Sequence, residues 1–276
     1  MKNLKKYLLL SAVAMSLFSC NRDDSDDYSA TDKNNVTVNF KNVIDGSGDI
    51  TLGTTVVTSS SNQKHNFSTL KYIVSNFVLV KTDGSEVKYN FDNPDKGAFV
   101  ISQTGATEQS ISLADIQAGD YKQIKFGLGI SPNAYTLGQT GQAAFWDTCV
   151  ATGMSWQWAS GYKFAKIEGS YAAPGTDIPA TGASTYKFHS GNIANPTTTN
   201  TPDVYKVVTL DLPTTMKVRN NVAPKVHLTC SMNKWLSGTK NLVLDATNQV
   251  SMSPNLALIQ DGSTNLAGAF KATSVN

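Results

Sequence analysis

The sequence predicts an all-β protein: an antiparallel β-sandwich, immunoglobulin-like or related, with long loops and little helix. Short runs rich in β-branched and aromatic residues recur along the chain, and Gly, Asn, Asp and Pro turn signals separate them. Only two stretches have a helical character, "QTGQAAFWDTCV" and the tail "NLALIQDGSTNLAGAF". No internal repeat and no second type of composition divides the chain, so we expect one folded domain.

The predicted strands follow one another closely after residue 35. The dipeptide Asp83-Gly84 is a strong hairpin signal, and Ser75-Asn76 indicates a break inside a long strand. Two polar loops, 172–185 and 192–203, flank a strand that ends at a histidine, and long loops on a β scaffold are common binding positions. The predicted strands are "VTVNF", "ITL", "TTVVTSS", "FSTLKYIVSNFVLVKT", "EVKYNF", "FVISQ", "QSISLAD", "YKQIKFGLGI", "GMSWQWASGYKFAKIEG", "YKFHSG", "VYKVVTLDL", "KVHLTCSM" and "NLVLDA".

Residues 1–20 are set apart as an export signal. Three lysines precede the apolar run "YLLLSAVAMSLF", which is too short to cross a bilayer as a helix. The run ends in "LFSC", which resembles a bacterial lipobox and makes Cys20 the expected lipidation site. Residues 21–35 are polar and acidic and are expected to form a flexible tether, so the folded domain is predicted over 36–276. We therefore expect an exported protein with a lipid anchor in the outer membrane, facing the periplasm or the cell surface.

The charge balance excludes one class of partner. Three of the 23 Lys and Arg residues precede Cys20, whereas all 21 Asp and Glu residues follow it, so the chain after Cys20 has a net charge of −1. No basic patch and no motif of a nucleic-acid-binding fold is present. We expect no nucleic-acid partner.

The chain has three histidines, and the sequence gives them different expectations. His65 lies in the polar stretch "SSSNQKHN" and is predicted to be an exposed loop residue. His227 lies between Val226 and Leu228, so alternation predicts a solvent-facing or hydrogen-bonded strand residue. His189 comes at a strand end before a long polar loop, which makes it the best candidate for a metal ligand.

Cys149 and Cys230 are the two cysteines that follow Cys20. In an exported chain they can close a disulfide between the "FWDTCVATGM" segment and the "VHLTCSMN" strand. Two buried free thiols and two thiolate ligands of a soft metal are the alternatives. The sequence leaves all three open.

The stretch "GMSWQWASGYKFAKIEG" concentrates sulfur and indole groups. If it is extended, Met154, Trp156 and Trp158 point to one side. One interpretation is a core edge in which the aromatic rings close the sandwich. The other is a soft-metal or redox site, because a thioether suits Cu(I) and an indole is easily oxidised.

Several segments in this order resemble the MbnP-like family of exported copper-binding β proteins. The most specific is the run from Gly153 to Gly169. The others are "VNF", "FSTLKYIVSNFVLV" followed by "DGS", "AGDYKQIKFGLGISPN", "FHSG", "VHLTCSMNKWLSG" and "VSMSPNLALIQDGSTNLAGAF".

The resemblance implies a copper-handling protein without enzymatic activity, with copper, as Cu(I), as its metal. It also implies a di-haem, cytochrome c peroxidase-like (MbnH-like) partner that converts a tryptophan to kynurenine. Carried over to this chain, Trp156 and Trp158 are the candidates for that oxidation, and Met154 and His189 are the candidate metal ligands. Two other functions stay open: a surface glycan-binding sandwich that stacks sugars on Trp156, Trp158 and Trp146, and an adhesin-like structural module.

Overall fold

The structure is a computed structural model that describes residues 28–105, 108–192, 204–251 and 255–276. The predicted signal segment, Cys20, residues 21–27 of the predicted tether and most of the predicted 192–203 loop lie outside the described residues. The first strand begins at Lys33, inside the segment predicted as a tether. No helix in these described ranges is long and apolar enough to cross a membrane.

Strands make up most of the regular structure, and the helices are short. In chain order the strands are β1 (Lys33–Ile44), β2 (Gly48–Asp49), β3 (Val56–Thr58), β4 (Lys64–Lys81), β5 (Glu86–Lys88), β6 (Phe99–Ser102), β7 (Gln109–Gln117), β8 (Gly119–Leu128), β9 (Ser155–Trp156), β10 (Gly161–Tyr171), β11 (Ser184–Asn192), β12 (Lys206–Val218), β13 (Lys225–Ser231), β14 (Val250–Ser251) and β15 (Phe270–Val275). The helices are α1 (Pro94–Gly97), α2 (Pro132–Tyr135), α3 (Ala143–Thr152), α4 (Met232–Leu236) and α5 (Leu256–Gly268).

Two sheets form the sandwich. In the larger one the order is β12-β8-β4-β10-β11-β14; β3, β5 and β6 also pair with β4, and β9 pairs with β10. In the smaller one the order is β15-β13-β1-β2, and β7 also pairs with β1. Nearly all pairs are antiparallel; β1 with β13 and β11 with β14 are parallel. The predicted all-β sandwich is confirmed.

The inner core fills the space between the sheets because apolar residues alternate along the strands. On β4, Leu70, Tyr72 and Val74 point inward, and Phe40 of the facing sheet lies 6.4 Å from Tyr72 between ring centroids. The predicted break in β4 is a bulge at which Asn76 has a positive φ of 52°. The predicted hairpin at residues 83–84 joins β4 to β5.

Two predicted strands are wrong. Residues 50–52 form no strand, because β2 ends before them at Asp49. Residues 241–246 do not join a sheet beyond a single bridge between Asn241 and Ser237. The side chain of Gln63 takes the place of a neighbouring strand there: its amide nitrogen donates to the carbonyl of Leu244 at 2.7 Å, and its oxygen accepts from the amide of Leu244 at 2.9 Å. A buried side-chain amide thus satisfies backbone groups that a strand partner would otherwise satisfy.

A second cluster of buried side chains covers the opposite face of the larger sheet. Ile73 lies between two inward-pointing residues of β4, so it faces away from the inner core. Helix α3, which lies in one of the two segments predicted as helical, packs there through Phe145 and Cys149. We call this set the outer cluster; its members are Ile73, Ala98, Ile130, Ala134, Phe145, Cys149, Met154, Tyr162, Phe164, Val204 and Ile259.

Candidate functional site

A row of polar side chains lies beside the outer cluster on the same outer face of the larger sheet. The register aligns Lys71 of β4, Lys166 of β10 and His189 of β11 side by side. Thr69 and Glu168 form the next pair along β4 and β10. Inner-core residues flank Lys71 and Lys166 on both sides and precede Glu168 and His189, so these side chains share the outer face. Lys163 lies beside them, close enough for the charges of Lys71, Lys166 and Glu168 to act on its ammonium group. We call Thr69, Lys71, Lys163, Lys166, Glu168 and His189 the polar row.

The hydrogen bond between His189 and Glu168 is the shortest polar contact that the described residues form within this row. Nε2 of His189 lies 2.7 Å from Oε1 of Glu168, and both side chains are largely buried. The hydroxyl of Thr69 donates to Oε2 of Glu168 at 3.2 Å, and Nζ of Lys166 lies 3.9 Å from the same oxygen. Because the carboxylate can only accept, the proton of the neutral imidazole belongs on Nε2.

Burial and charge set the protonation of this pair. Burial lowers the pKa of His189, and Glu168 offsets only part of that effect. Burial by itself raises the pKa of Glu168, but the hydrogen bond from His189 and the charge of Lys166 outweigh it, so the carboxyl pKa lies below its ordinary value. Near pH 7 the site therefore holds a neutral imidazole against an ionised carboxylate, which is the state in which a histidine binds a metal.

Two lysines connect the polar row to the end of α3. Nζ of Lys71 donates to the carbonyl of Thr152 at 2.9 Å, and Nζ of Lys163 donates to the carbonyl of Gly153 at 3.1 Å. Gly153 ends the helix with a φ of 72°, a conformation that glycine adopts without strain. The positive charges lie where the helix dipole is negative, so they stabilise the helix end and fix the start of the Met–Trp stretch.

The Met–Trp stretch does not run as one strand, and the prediction that its three side chains share a side is wrong. Only Ser155 and Trp156 are extended; residues 157–159 form a 3-10 turn, and Ser160 has a φ of 52°. The chain must reverse here to pair Trp156 with Gly161. Met154 is 0% exposed and Trp156 7%, whereas Trp158 is 71% exposed.

The structure brings Trp156, but not Met154, next to the strand end of His189. A Cβ on Gly191 would collide with the carbonyl oxygen of Tyr162 and would lie 3.0 Å from Cζ3 of Trp156, so the absent side chain makes room for the backbone of β10 and for the indole. Gly191 follows His189 by two residues and lies on the same face of β11. Met154 instead contributes to the outer cluster, where its amide donates to the carbonyl of Cys149 at 2.7 Å.

The two cysteines are not bonded to each other. Cys149 lies in the outer cluster and Cys230 in the inner core, on opposite faces of the larger sheet. Burial raises the pKa of Cys149 to about 12 and that of Cys230 further. The disulfide is therefore absent, and thiols that stay protonated are poor metal ligands. Of the three alternatives, the structure has two buried free thiols.

The other histidines lie away from the polar row. His227 is a hydrogen-bonded strand residue, as predicted: it is half-buried on β13, and its Nδ1 lies 3.0 Å from Oε1 of Glu108. The exposed loop position predicted for His65 is wrong, because His65 belongs to β4, is 0% exposed and packs edge-on against Tyr186. Its polar neighbours in sequence suggested a loop, whereas the pairing of β4 with β3 and β10 places it inside.

The His189–Glu168 pair supplies one suitable ligand for a soft cation but not a complete set of ligands. His189 has the carboxylate partner that metal-binding histidines usually have. Within the described ranges, however, no three His, Cys, Asp or Glu side chains group together as a metal site. Sequence reasoning missed Glu168 and the lysines, although the alternation in "KFAKIEG" places a polar residue beside each inward-pointing one.

Two of the three tryptophans considered for stacking on sugars, Trp156 and Trp146, are not exposed enough to do so. Trp156 is buried, and Trp146 is half-buried with its ring centroid 5.3 Å from that of Tyr162. Trp158 alone of the three presents an open indole face.

Fold and site together define a β-sandwich whose helix-covered outer face carries a histidine held by a carboxylate, on a strand whose end lies next to a buried indole. The sequence profile of the MbnP family matches residues 33–254, most of the chain, and the chain belongs to this family. Membership associates it with a methanobactin-associated, copper-related role. Among solved structures the chain is similar to MbnP from Methylosinus trichosporium, at 15% identity over 80% of this chain and 81% of that one, with a TM-score of 0.46. Comparison with curated proteins found no similar sequence.

Proposed function

We propose that this protein is a lipid-anchored copper-binding protein of the periplasm or cell surface, without enzymatic activity of its own, in which His189 is a ligand of Cu(I). The observation that carries the proposal is the hydrogen bond between His189 and Glu168. It supports a single tautomer, in which Nδ1 is the nitrogen that carries the lone pair. Copper(I) is a soft cargo ion for which an imidazole is a suitable ligand.

The residues around His189 have separate tasks in this proposal. Glu168 orients the ring and increases its basicity. Thr69 and Lys166 hold the two oxygens of Glu168 in place. Trp156 covers the strand end and limits the approach of water. The three lysines of the row disfavour a strongly hydrated dication, which leaves a monovalent soft ion as the better match.

Copper loading of the purified protein tests the proposal. The protein is expressed with its own signal, purified from the membrane fraction, and analysed for metal with and without added copper. About one copper per chain that survives dialysis is expected. Absence of retained copper at any loading, or retention of a glycan in its place, contradicts the proposal and favours the sugar-binding alternative.

We further propose that Trp158 is the residue which a di-haem, peroxidase-like partner oxidises. Its exposure, 71% against 7% for Trp156, makes it the indole that a protein partner can reach. Two molecules of hydrogen peroxide each supply one oxygen atom; the C2–C3 bond of the indole breaks, two water molecules leave and N-formylkynurenine forms. Hydrolysis then releases formate and gives kynurenine.

Replacing Trp158 with phenylalanine is expected to abolish this modification. Mass spectrometry should find a gain of about 32 Da, or of about 4 Da after loss of the formyl group, in the wild-type peptide that spans the stretch. The matched variant Trp156→Phe should keep the gain, because it leaves Trp158 in place. A gain that persists in Trp158→Phe and disappears in Trp156→Phe would assign the oxidation to the buried indole instead.

A further inference from the structure

The first described residues are held against one end of the sandwich by Arg219. The ring of Tyr28 lies under the guanidinium group, with 4.3 Å between the Arg219 Cζ atom and the ring centroid. Tyr28 is 42% exposed, whereas Arg219 is 3% exposed. Such stacking of a guanidinium on an aromatic face is favourable, and more so when the cation is desolvated.

Arg219 is itself fixed by the sandwich. Its Nη2 lies 2.7 Å from Oδ1 of Asp120, and its Nη1 donates to the carbonyls of Gly119 at 3.1 Å and Val218 at 3.0 Å. These contacts hold the guanidinium group in one place, so Arg219 gives Tyr28 a fixed surface to stack on.

Further hydrogen bonds continue the attachment from Tyr28 to the start of β1. The side chain of Gln117 donates to the carbonyl of Ala30 at 2.9 Å, and the amide of Ala118 donates to the carbonyl of Asp32 at 2.8 Å. The side chain of Asn34 donates to the carbonyl of Arg219 at 2.8 Å. We call this set of contacts, between residues 28–34 and Gln117, Ala118 and Arg219, the N-terminal clamp.

We propose that the N-terminal clamp makes the Arg219 end of the sandwich the end that faces the lipid bilayer, and that it keeps this end close to the membrane surface. The inference rests on the lipid anchor at Cys20 that is part of the proposed function. Eight residue steps separate Cys20 from Tyr28, which an extended chain spans in at most about 28 Å. Without the clamp, Lys33 at the start of β1 would be the first residue fixed to the sandwich. The greatest possible distance between Cys20 and that residue would then rise to about 45 Å.

The length of the sandwich gives this attachment a consequence for the candidate site. Strand β4 has 18 residues, which corresponds to roughly 60 Å, and its last residue Lys81 donates to Gln117 in the clamp. Lys71, in the polar row, lies ten residues before Lys81, roughly 30 Å along the strand. The clamp therefore presents His189 above the bilayer, on a side face that a water-soluble partner can approach.

Energy transfer to the membrane tests this orientation in the lipidated full-length protein. A donor dye is attached at Asn221→Cys, in the turn beside Arg219, or at Ala180→Cys, in the loop at the opposite end. The protein is bound to vesicles of phosphatidylethanolamine and phosphatidylglycerol that contain an acceptor-labelled lipid. The native Cys149 and Cys230 are buried and do not compete for the dye.

Transfer from position 221 is expected to exceed transfer from position 180 by at least about twofold, given the separation of the two ends. Tyr28→Ala should reduce transfer from position 221, whereas Tyr28→Phe, which keeps the stacked ring, should not. Equal energy transfer from positions 221 and 180 in vesicle-bound protein would overturn the proposed orientation of the sandwich. Unchanged energy transfer from position 221 in Tyr28→Ala would do the same. Neither result would contradict the lipid anchor. Failure of the wild-type protein to bind vesicles, with Cys20→Ser behaving identically, overturns the anchor itself.

Discussion

Replacing His189 with glutamine is expected to weaken the binding of Cu(I) by at least about a hundredfold, which corresponds to about 3 kcal/mol of binding free energy. Glutamine can still donate a hydrogen bond to Glu168, so the carboxylate that now lies 2.7 Å from His189 keeps a partner and the sheet should stay folded. The imidazole lone pair, however, is lost. Affinity is measured by competition with a chromophoric Cu(I) chelator under anaerobic conditions, and circular dichroism confirms the fold.

Two further variants separate a ligand from a merely structural residue. Glu168→Gln should weaken Cu(I) binding by about 10- to 100-fold, the usual effect of removing the carboxylate that orients a metal-binding histidine. His227→Gln is the matched control, because His227 lies on the other sheet beside Glu108. Unchanged affinity in His189→Gln would remove His189 from the site. An equal loss in His227→Gln would show that the assay reports unspecific binding to imidazoles.

Acidification is expected to destabilise the domain through His65. Burial lowers the pKa of this histidine from 6.5 to about 4, and no described residue forms a hydrogen bond with either ring nitrogen. The unfolded chain therefore takes up a proton at a higher pH than the folded one does. The stabilisation from the neutral buried ring is complete above pH 6.5 and is lost as the pH falls from about 6.5 to about 4.

The size of this effect follows from the shift in pKa. The free energy of unfolding should fall by about 2 kcal/mol between pH 7.5 and pH 5, and by about 3 kcal/mol at pH 4. Urea denaturation at each pH measures it. His65→Leu should remove this part of the pH dependence and should be nearly neutral at pH 7.5, because it replaces an unsatisfied buried polar group by an apolar one. Parallel curves for wild type and variant at all pH values would contradict the assignment to His65.

The comparison with the variant matters because a second histidine titrates in the same direction. Burial also lowers the pKa of His189 below its ordinary value, so its contribution to stability is likewise lost as the pH falls below 6.5. Only the difference between the wild-type curve and the His65→Leu curve isolates His65. The part that remains in His65→Leu and disappears in His189→Gln belongs to the candidate site.

Local residue patterns alone determined the all-β class, the hairpin at Asp83-Gly84, the bulge near Asn76 and the two main helical segments. These depend mainly on neighbours in sequence, through alternation and turn preferences, and the tertiary structure of this chain left them in place. The quoted motifs likewise sufficed for the family. The stretch around Trp156 could be singled out for the same reason, since its composition is unusual whatever its surroundings.

Only the tertiary structure decided which of those residues lie close together in space. Alternation predicted that Met154, Trp156 and Trp158 lie together, yet the return of the chain into β10 separates them into two buried side chains and one exposed one. His65 is buried because β3 and β10 flank its strand, and the pairing of β10 with both β4 and β11 unites Glu168 with His189. Contacts between distant segments depend on sheet register and loop closure, which neighbouring residues do not encode.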